Sequence, residues 1–460
     1  MLCAAGCSPS SPYHCTADTQ CILGGDQGTC DPAGFCSFPD PACESGQRFE
    51  PNAGDGLAGT CAPPACGVTG NACCAGGEAC RAGGSCVSGT CEPCLADVAL
   101  GRRFACMLQP GGSVYCSGDN GSGQLGIGLG SAPQADPEQV RDQTSAFVAD
   151  ATAISAGHSH ACAIRAGGSV WCWGGGFGDV AQQIHLVDGS PVMGITKLQS
   201  GDSFDCALDA TGQLLCWGDN TNGQLGDGTV TGRGTAAPVL MAAGGAPFTG
   251  IKTFTLGGSH ACATTMADEL YCWGFNNHGQ VGDGSQTNQV VPVKSTLGTT
   301  THVSAGRFHT CAVASDGTVS CWGSGSHNRL GRGTFDGSDA LAPIKVAVDD
   351  KGTAFTNATQ VEVGAVSCAI TSDTHVWCWG DNRYGQTGNG ATSVVPVEVI
   401  DATNGQPLSG AERLIVHFAH ACAQLAGGGI TCWGRNTEGT FGNGTFLNVG
   451  LATGTRATCP

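Results

Sequence analysis

Fourteen of the thirty cysteines fall into seven pairs of fixed spacing, and thiols so placed can either oxidise to disulfides or hold a metal. The pairs are Cys106 and Cys116, Cys162 and Cys172, Cys206 and Cys216, Cys262 and Cys272, Cys311 and Cys321, Cys368 and Cys378, and Cys422 and Cys432. Members of a pair are always ten positions apart. The interval between pairs varies, from 44 residues (Cys162 to Cys206) to 57 (Cys311 to Cys368). Zinc needs ligands two to four apart with partners nearby, and the repeats lack that clustering. The spacing therefore points to one structural cystine per repeat.

Three other residue sets carry possible chemistry. His160, His260, His309 and His420 each stand two positions before the first cysteine of a pair, and four imidazoles around one axis would suit a metal. Phe104, Phe204 and Val366 fill the same slot in the other copies, which argues for a packed, singly hydrogen-bonded side chain, and no metal is assigned. Asp/Asn-rich stretches such as 218–223 suggest calcium, but lack the alternating acidic order closed by a glutamate that this cation needs. They read as turns. Trp173, Trp217, Trp273, Trp322, Trp379 and Trp433 follow a second cysteine and read as packing between repeats, while Trp171 and Trp377 precede one. No Gly-Lys-Ser/Thr phosphate loop, Gly-x-Ser-x-Gly elbow or His-Glu-x-x-His helix occurs, so no catalytic or cofactor-binding residue is named.

The elements that position the cysteines are hairpins. In Cys311–Cys321 the midpoint is Asp316, so Ser315-Asp316-Gly317 forms the turn between alternating strands. A three-residue hairpin loop closes in the left-handed region, where glycine fits best. The corresponding residues are Gly112, Gly168, Gly212, Gly317 and Gly428, with Asp268 and Thr374 as exceptions. Threonine suits that conformation poorly, so the sixth turn is expected to differ. Cysteines equidistant from such a turn face each other across antiparallel strands at about 4.5–5.5 Å between Cα atoms.

A self-similar unit recurring seven times signals a repeat architecture. Each copy holds a short apolar strand, the cystine hairpin and a later strand, as in Val290–Val293 and Val394–Val399, with Cys-Trp-Gly closing six of the hairpins and a Gly-Gln-Leu-Gly loop or a variant in six of the seven copies. Four strands per unit and seven units predict an all-β, seven-bladed β-propeller over 96–460. Residues 8–95 read as a small, disulfide-rich, mostly irregular leader, with 1–7 the remnant of a signal segment. Fifteen cysteines precede residue 95, and parity pairs Cys459 with one of them, Cys91 and Cys94 being the candidates. Cys7 follows small residues as a lipidated cysteine does, although Ala4 stands where such signals prefer leucine.

Thirty cysteines and only 12% charged residues indicate an oxidising, extracytoplasmic destination, secreted or at a bacterial cell surface. The net charge of −18 excludes a nucleic-acid partner. No run of 18 apolar residues is present, so membrane attachment would come only through lipid at Cys7. The stretch Leu215–Gly226 and its relative Tyr271–Gly282 resemble the regulator-of-chromosome-condensation repeat, over roughly 96–455. The second copy departs from the pattern at Trp173-Gly-Gly-Gly-Phe-Gly, and the sixth at Gly385-Gln-Thr-Gly388. The resemblance implies the propeller. Its members include an exchange factor for a small GTPase, a plant ultraviolet photoreceptor and a secreted inhibitor of β-lactamases; the photoreceptor's Gly-Trp-Arg-His-Thr motif is absent here. Fold alone does not give function. The expected role is a monomeric, non-enzymatic scaffold binding a protein or glycan through loops in 124–150, 226–250 and 330–356. Guanine-nucleotide exchange, a carbohydrate-active propeller and a structural envelope component are the alternatives.

Overall fold

The computed structural model describes residues 96–128, 132–390, 393–426, 430–438, 440–441 and 447–454. Ahead of these it gives short backbone strands, such as Ile22–Leu23 paired with Asp26–Gln27. The chain divides into two compact units between Cys94 and Leu95. The expectations for Cys7, Cys91, Cys94, Cys459 and Gly428 concern side chains or turns outside the described residues.

The second unit is seven four-stranded antiparallel sheets, each made from consecutive strands. In the fifth blade these are Thr300–Ala305, His309–Ala314, Val319–Gly323 and Ala340–Lys345. The innermost strands are Asp97–Leu100, Ala151–Ala156, Ile195–Ser200, Ile251–Leu256, Thr300–Ala305, Ala358–Val363 and Ala411–His417. Each contacts the next and the last contacts the first, so the ring is closed. Closure removes the free sheet edge at the centre that an open array would expose.

All seven ten-residue pairs are cystines. Cys106 is bonded to Cys116, Cys162 to Cys172, Cys206 to Cys216 and Cys262 to Cys272. Cys311 is bonded to Cys321, Cys368 to Cys378 and Cys422 to Cys432. The two members are direct cross-strand partners in every hairpin. Their Cα atoms stand 4.0–4.1 Å apart, closer than the 4.5–5.5 Å range expected from the spacing. The difference arises because the cystines take the closer kind of antiparallel site. In blade one the Gln109 amide bonds Ser113 O and the Asp119 amide bonds Arg103 O. Alternation along the ladder then leaves Cys106 and Cys116 between bonded pairs, where the chains approach most closely.

The turns hold one surprise. Gly112, Gly212 and Gly317 have φ of 87°, 80° and 78°, and Asp268 follows them at 57°. Thr374, expected to break the pattern, keeps it at φ 68°. Its Oγ1 accepts the Gly410 amide at 2.9 Å and its carbonyl accepts the Ala411 amide at 3.2 Å. Contacts to the next blade thus hold a residue whose local preference opposes the turn.

Loss of one hairpin clip should weaken the ring measurably. Replacing both Cys311 and Cys321 with alanine is expected to lower stability by about 2–3 kcal/mol through the freed unfolded loop. A urea titration against the parent protein reads this, and an unchanged midpoint would show the hairpin is held by packing alone.

Candidate functional site

Two kinds of joint connect each blade to its neighbour. The first is an indole. Trp173, Trp273, Trp322, Trp379 and Trp433 are fully buried, and each Nε1 donates to a main-chain carbonyl of the preceding blade at 2.8–3.0 Å. The acceptors are Gln124, Gln224, Gln280, Arg329 and Gln386, four of them the Gln of the Gly-Gln-Leu-Gly loop. The last glycine of that loop is required by the indole: a Cβ on Gly226 would lie 2.7 Å from Trp273 Nε1. The Asn and Asp side chains of these loops turn back on their own amides, as when Asn220 Oδ1 accepts the Leu225 amide at 2.9 Å. That use matches a turn role.

The second joint is the slot two before the first cysteine, read against the residue just before that cysteine in the next blade. His260 Nε2 donates to Thr310 Oγ1 at 2.8 Å, and Thr310 donates its own proton to Gln280 O. His309 Nε2 meets Ser367 Oγ at 2.8 Å in the same way, with Ser367 donating to Arg329 O. His160 Nε2 pairs with the Asp205 carboxylate at 2.9 Å, both buried. Where the slot is apolar the partner position is alanine: Phe104 precedes Ala161, Phe204 precedes Ala261, and Val366 precedes Ala421. One mismatch remains, at the closure. His420 is opposite Ala105, and its buried Nε2 has no partner.

The histidines are therefore blade locks, and their protonation follows their partners. Burial pushes His260 and His420 down to about 3. Burial would lower His160 too, but the Asp205 charge overrides it and raises the imidazole above its ordinary value.

At one end of the ring the first-to-second and third-to-fourth strand connections of every blade emerge together. Arginine and aromatic side chains gather at this end, around a central mouth lined by Asp202, Arg307, His417 and Phe418. Arg102 lies 4.8 Å over the Phe418 ring and contacts His158 Nε2 at 2.9 Å. Arg307 pairs through Nε with Asp202 Oδ2 at 3.0 Å and lies 5.2 Å over Phe308. Arg435 pairs with Glu438 at 2.6 Å and lies 5.3 Å over Tyr384, with Arg103 at 3.7 Å from the same glutamate. Burial and the Arg103, Arg307 and Arg435 charges draw the Arg102 guanidinium down from its ordinary value, as expected of crowded cations. Every lysine (Lys197, Lys252, Lys294, Lys345 and Lys351) lies toward the opposite end.

Blade seven narrows this mouth. After the inner strand six blades place glycine, and a Cβ on Gly157 would lie 2.2 Å from Gly201 O. Blade seven has His417 there, followed by Phe418 at φ 42°, a left-handed conformation uncommon for a bulky side chain. Behind the mouth the inner strands enclose about 350 Å³ of channel. Its carboxylates are engaged. Asp97 is ion-paired to Arg413, and Glu362 accepts from Ser304 Oγ at 2.7 Å and Gln360 Nε2 at 3.1 Å. Burial would raise the Asp202 carboxyl, yet His158 and Arg307 hold it below its usual range. An ionised, paired acid is not poised to protonate a leaving group.

The segments expected to carry recognition, 124–150, 226–250 and 330–356, mostly form outer strands and the connections at the opposite end. The mouth residues Arg102, His158, Asp202, Arg307 and Phe418 were missed. The signal for them lies three or four positions before each first cysteine, where the copies differ most in charge.

The fold and joints define a closed β-propeller of cystine-clipped, indole-locked blades. Its repeats match the models of the regulator of chromosome condensation (RCC1) repeat: one family profile matches 211–264 and 267–313, and a second matches 96–124, 151–177, 195–224, 251–280, 301–329 and 367–386. Human E3 ubiquitin-protein ligase HERC2 is 28% identical over 361 residues, 76% of this chain and 6% of that protein. The Arabidopsis thaliana ultraviolet-B receptor UVR8 is 30% identical over 238 residues, half of each chain. The chain thus spans a small part of the one and half the length of the other. Yeast RCC1 (Prp20), solved bound to Kap60, superposes with a TM-score of 0.60 at 16% identity, covering 79% of this chain and 85% of that one. Human WBSCR16 gives 0.57 at 18%, covering 75% and 93%. These likenesses speak for the fold.

The joints make two expected outcomes. Thr310→Ala strands the His260 donor and should cost about 1–3 kcal/mol, whereas Ala105→Ser supplies His420 with an acceptor and should add about 1 kcal/mol, both read by urea unfolding at pH 7. On acidification below about 6.5 the unfolded chain protonates at His260 and His420 while the native chain does not until about pH 3. Stability should therefore drop as the pH drops across that window, by about 1.4 kcal/mol per unit for each group. The His160–Asp205 pair has the opposite sign, its contribution present below 6.5 and lost as pH rises through the raised native value. A urea midpoint that climbs on going from pH 7 to pH 5 would contradict this reading of the histidines.

Proposed function

We propose that the chain is a non-enzymatic binding scaffold that recognises a protein partner through the arginine-rich mouth. The observation that carries this is the concentration of Arg102, Arg103, Arg307 and Arg435 with Phe308, Phe418 and Tyr384 on one end of a chain of net charge −18. Arginine and aromatic residues are enriched, and lysine depleted, at the centres of protein interfaces. The cations face a partner surface bearing carboxylates, and the rigid ring lowers the ordering cost of docking. Engagement of Asp97, Asp202 and Glu362 in ion pairs and hydrogen bonds favours this role over glycoside hydrolysis. The exchange-factor reading rests on the family name, and no residue here favours it.

The seven cystines and sparse charge support action in an oxidising compartment outside the cytoplasm, either secreted or held at the cell surface by lipid on Cys7. Affinity capture with the immobilised full chain tests both parts. A specific protein should be retained from the host envelope or medium, lost by tenfold or more with Arg307→Glu, and kept with Lys351→Glu at the other end. Equal capture by both variants would remove the mouth from the interface. Intact-mass analysis of the native protein reports the lipid and the number of disulfides in the same preparation.

A further inference from the structure

Five blade joints satisfy their indole with a carbonyl from the preceding loop; the joint between blades two and three has the indole without the carbonyl. Trp217 is fully buried, lines a cleft of about 430 Å³, and its Nε1 has no hydrogen-bond partner. The cause is in blade two. Only residues 175–177 join Ser169–Gly174 to Gly178–Gln183, so the turn that would carry the acceptor does not exist. In blade three the equivalent connection runs through 219–232.

A second unpaired donor faces the same space. Arg233 uses Nη1 on Asp227 at 2.6 Å, while its Nε and Nη2 are buried and unpartnered. Both groups can only donate, so the cleft calls for acceptors. Buried donors without acceptors are costly, and each asks for an explanation. Gly175, Gly176, Gly232 and Gly234 line the walls and leave room for a main chain to approach. Asp202 borders both this cleft and the mouth, and its charge is taken up by Arg307.

We propose that this cleft docks a peptide turn from a protein partner, whose main-chain carbonyl replaces that of the missing loop and receives the Trp217 indole proton. A further carbonyl or carboxylate of the same turn accepts from Arg233. The proposal rests on the binding-scaffold reading and gives the partner its chemistry. A peptide is favoured over a sugar because every satisfied interblade indole in this ring donates to a main-chain carbonyl. Phe177, packed on the Trp217 cluster between Gly176 and Gly178, is the side chain the incoming turn displaces.

The test uses the full chain labelled with 15N at the tryptophan indoles, and the capped peptide acetyl-Asn-Gly-Gln-Leu-Gly-amide, a copy of 222–226. The Trp217 signal should move downfield saturably on adding peptide while those of the five bonded indoles stay in place. Arg233→Ala should weaken the effect about tenfold, the loss of a little over 1 kcal/mol of hydrogen bonding. Gly234→Trp, at a position with open space and ordinary φ, should abolish it by filling the cleft. An unmoved Trp217 signal, or one equally responsive in both variants, would overturn the proposal and leave a water-filled gap. A response to cellohexaose instead of the peptide would assign the cleft to a glycan and overturn it as well. Failure of affinity capture alongside a Trp217 response would sink the scaffold reading while leaving the cleft intact, so the two are separable.

Discussion

A ring of twisted sheets closes only if every sheet meets its neighbour at nearly the same angle, and here one buried indole hydrogen bond at five of the seven interfaces contributes to that alignment. The indole of one blade reaches the loop carbonyl of the blade before it, in a fully buried site. In such surroundings a satisfied polar contact is directional and an unsatisfied one is costly, so the bond fixes geometry more than it adds stability. The cystine beside it clips the two strands that carry the tryptophan, which keeps the indole's reach constant from blade to blade. The adjoining slot adds a second check: imidazole meets hydroxyl or carboxylate, and aromatic or aliphatic side chains meet alanine.

The two interfaces that break the indole rule break it differently. At the closure the tryptophan itself is missing, Ser117 stands in its place, and His420 lacks an acceptor. Charges are recruited there instead, through Asp97 with Arg413 and Arg102 over Phe418. Between blades two and three the donor is kept and the acceptor lost, and a buried His160–Asp205 pair bridges the sheets. The pair satisfies buried polar groups of both blades at 2.9 Å. Departures from a repeat are informative because the repeat states what each position would otherwise do.

Much of the architecture was readable from one dimension. The ten-residue cysteine spacing with a turn residue at its centre implies a hairpin, since no other local geometry brings those thiols together, and seven such hairpins with trailing strands imply a propeller. The histidine slot reads as packed because phenylalanine and valine share it, and three of its four histidines meet a single partner across the joint. Its partners Asp205, Thr310 and Ser367 were not readable, for they sit 45 to 58 residues further on, and only the packing of one blade on the next sets the residue before a first cysteine against the slot of the copy before it. Thr374 shows the converse error: a sound local preference overruled by two hydrogen bonds from the next blade.

What the chain fixed by itself is everything governed by near neighbours: strand alternation, turn chemistry, the cystine clips and the number of blades. The tertiary structure alone decided which residues of separate blades face one another, because ring closure brings together seven connections that no sequence interval relates. That is why Arg102, His158, Asp202, Arg307 and Phe418 form one mouth, and why the shortened connection of the second blade, visible as a run of glycines, becomes a cleft only when Trp217 and Arg233 of the third are folded against it.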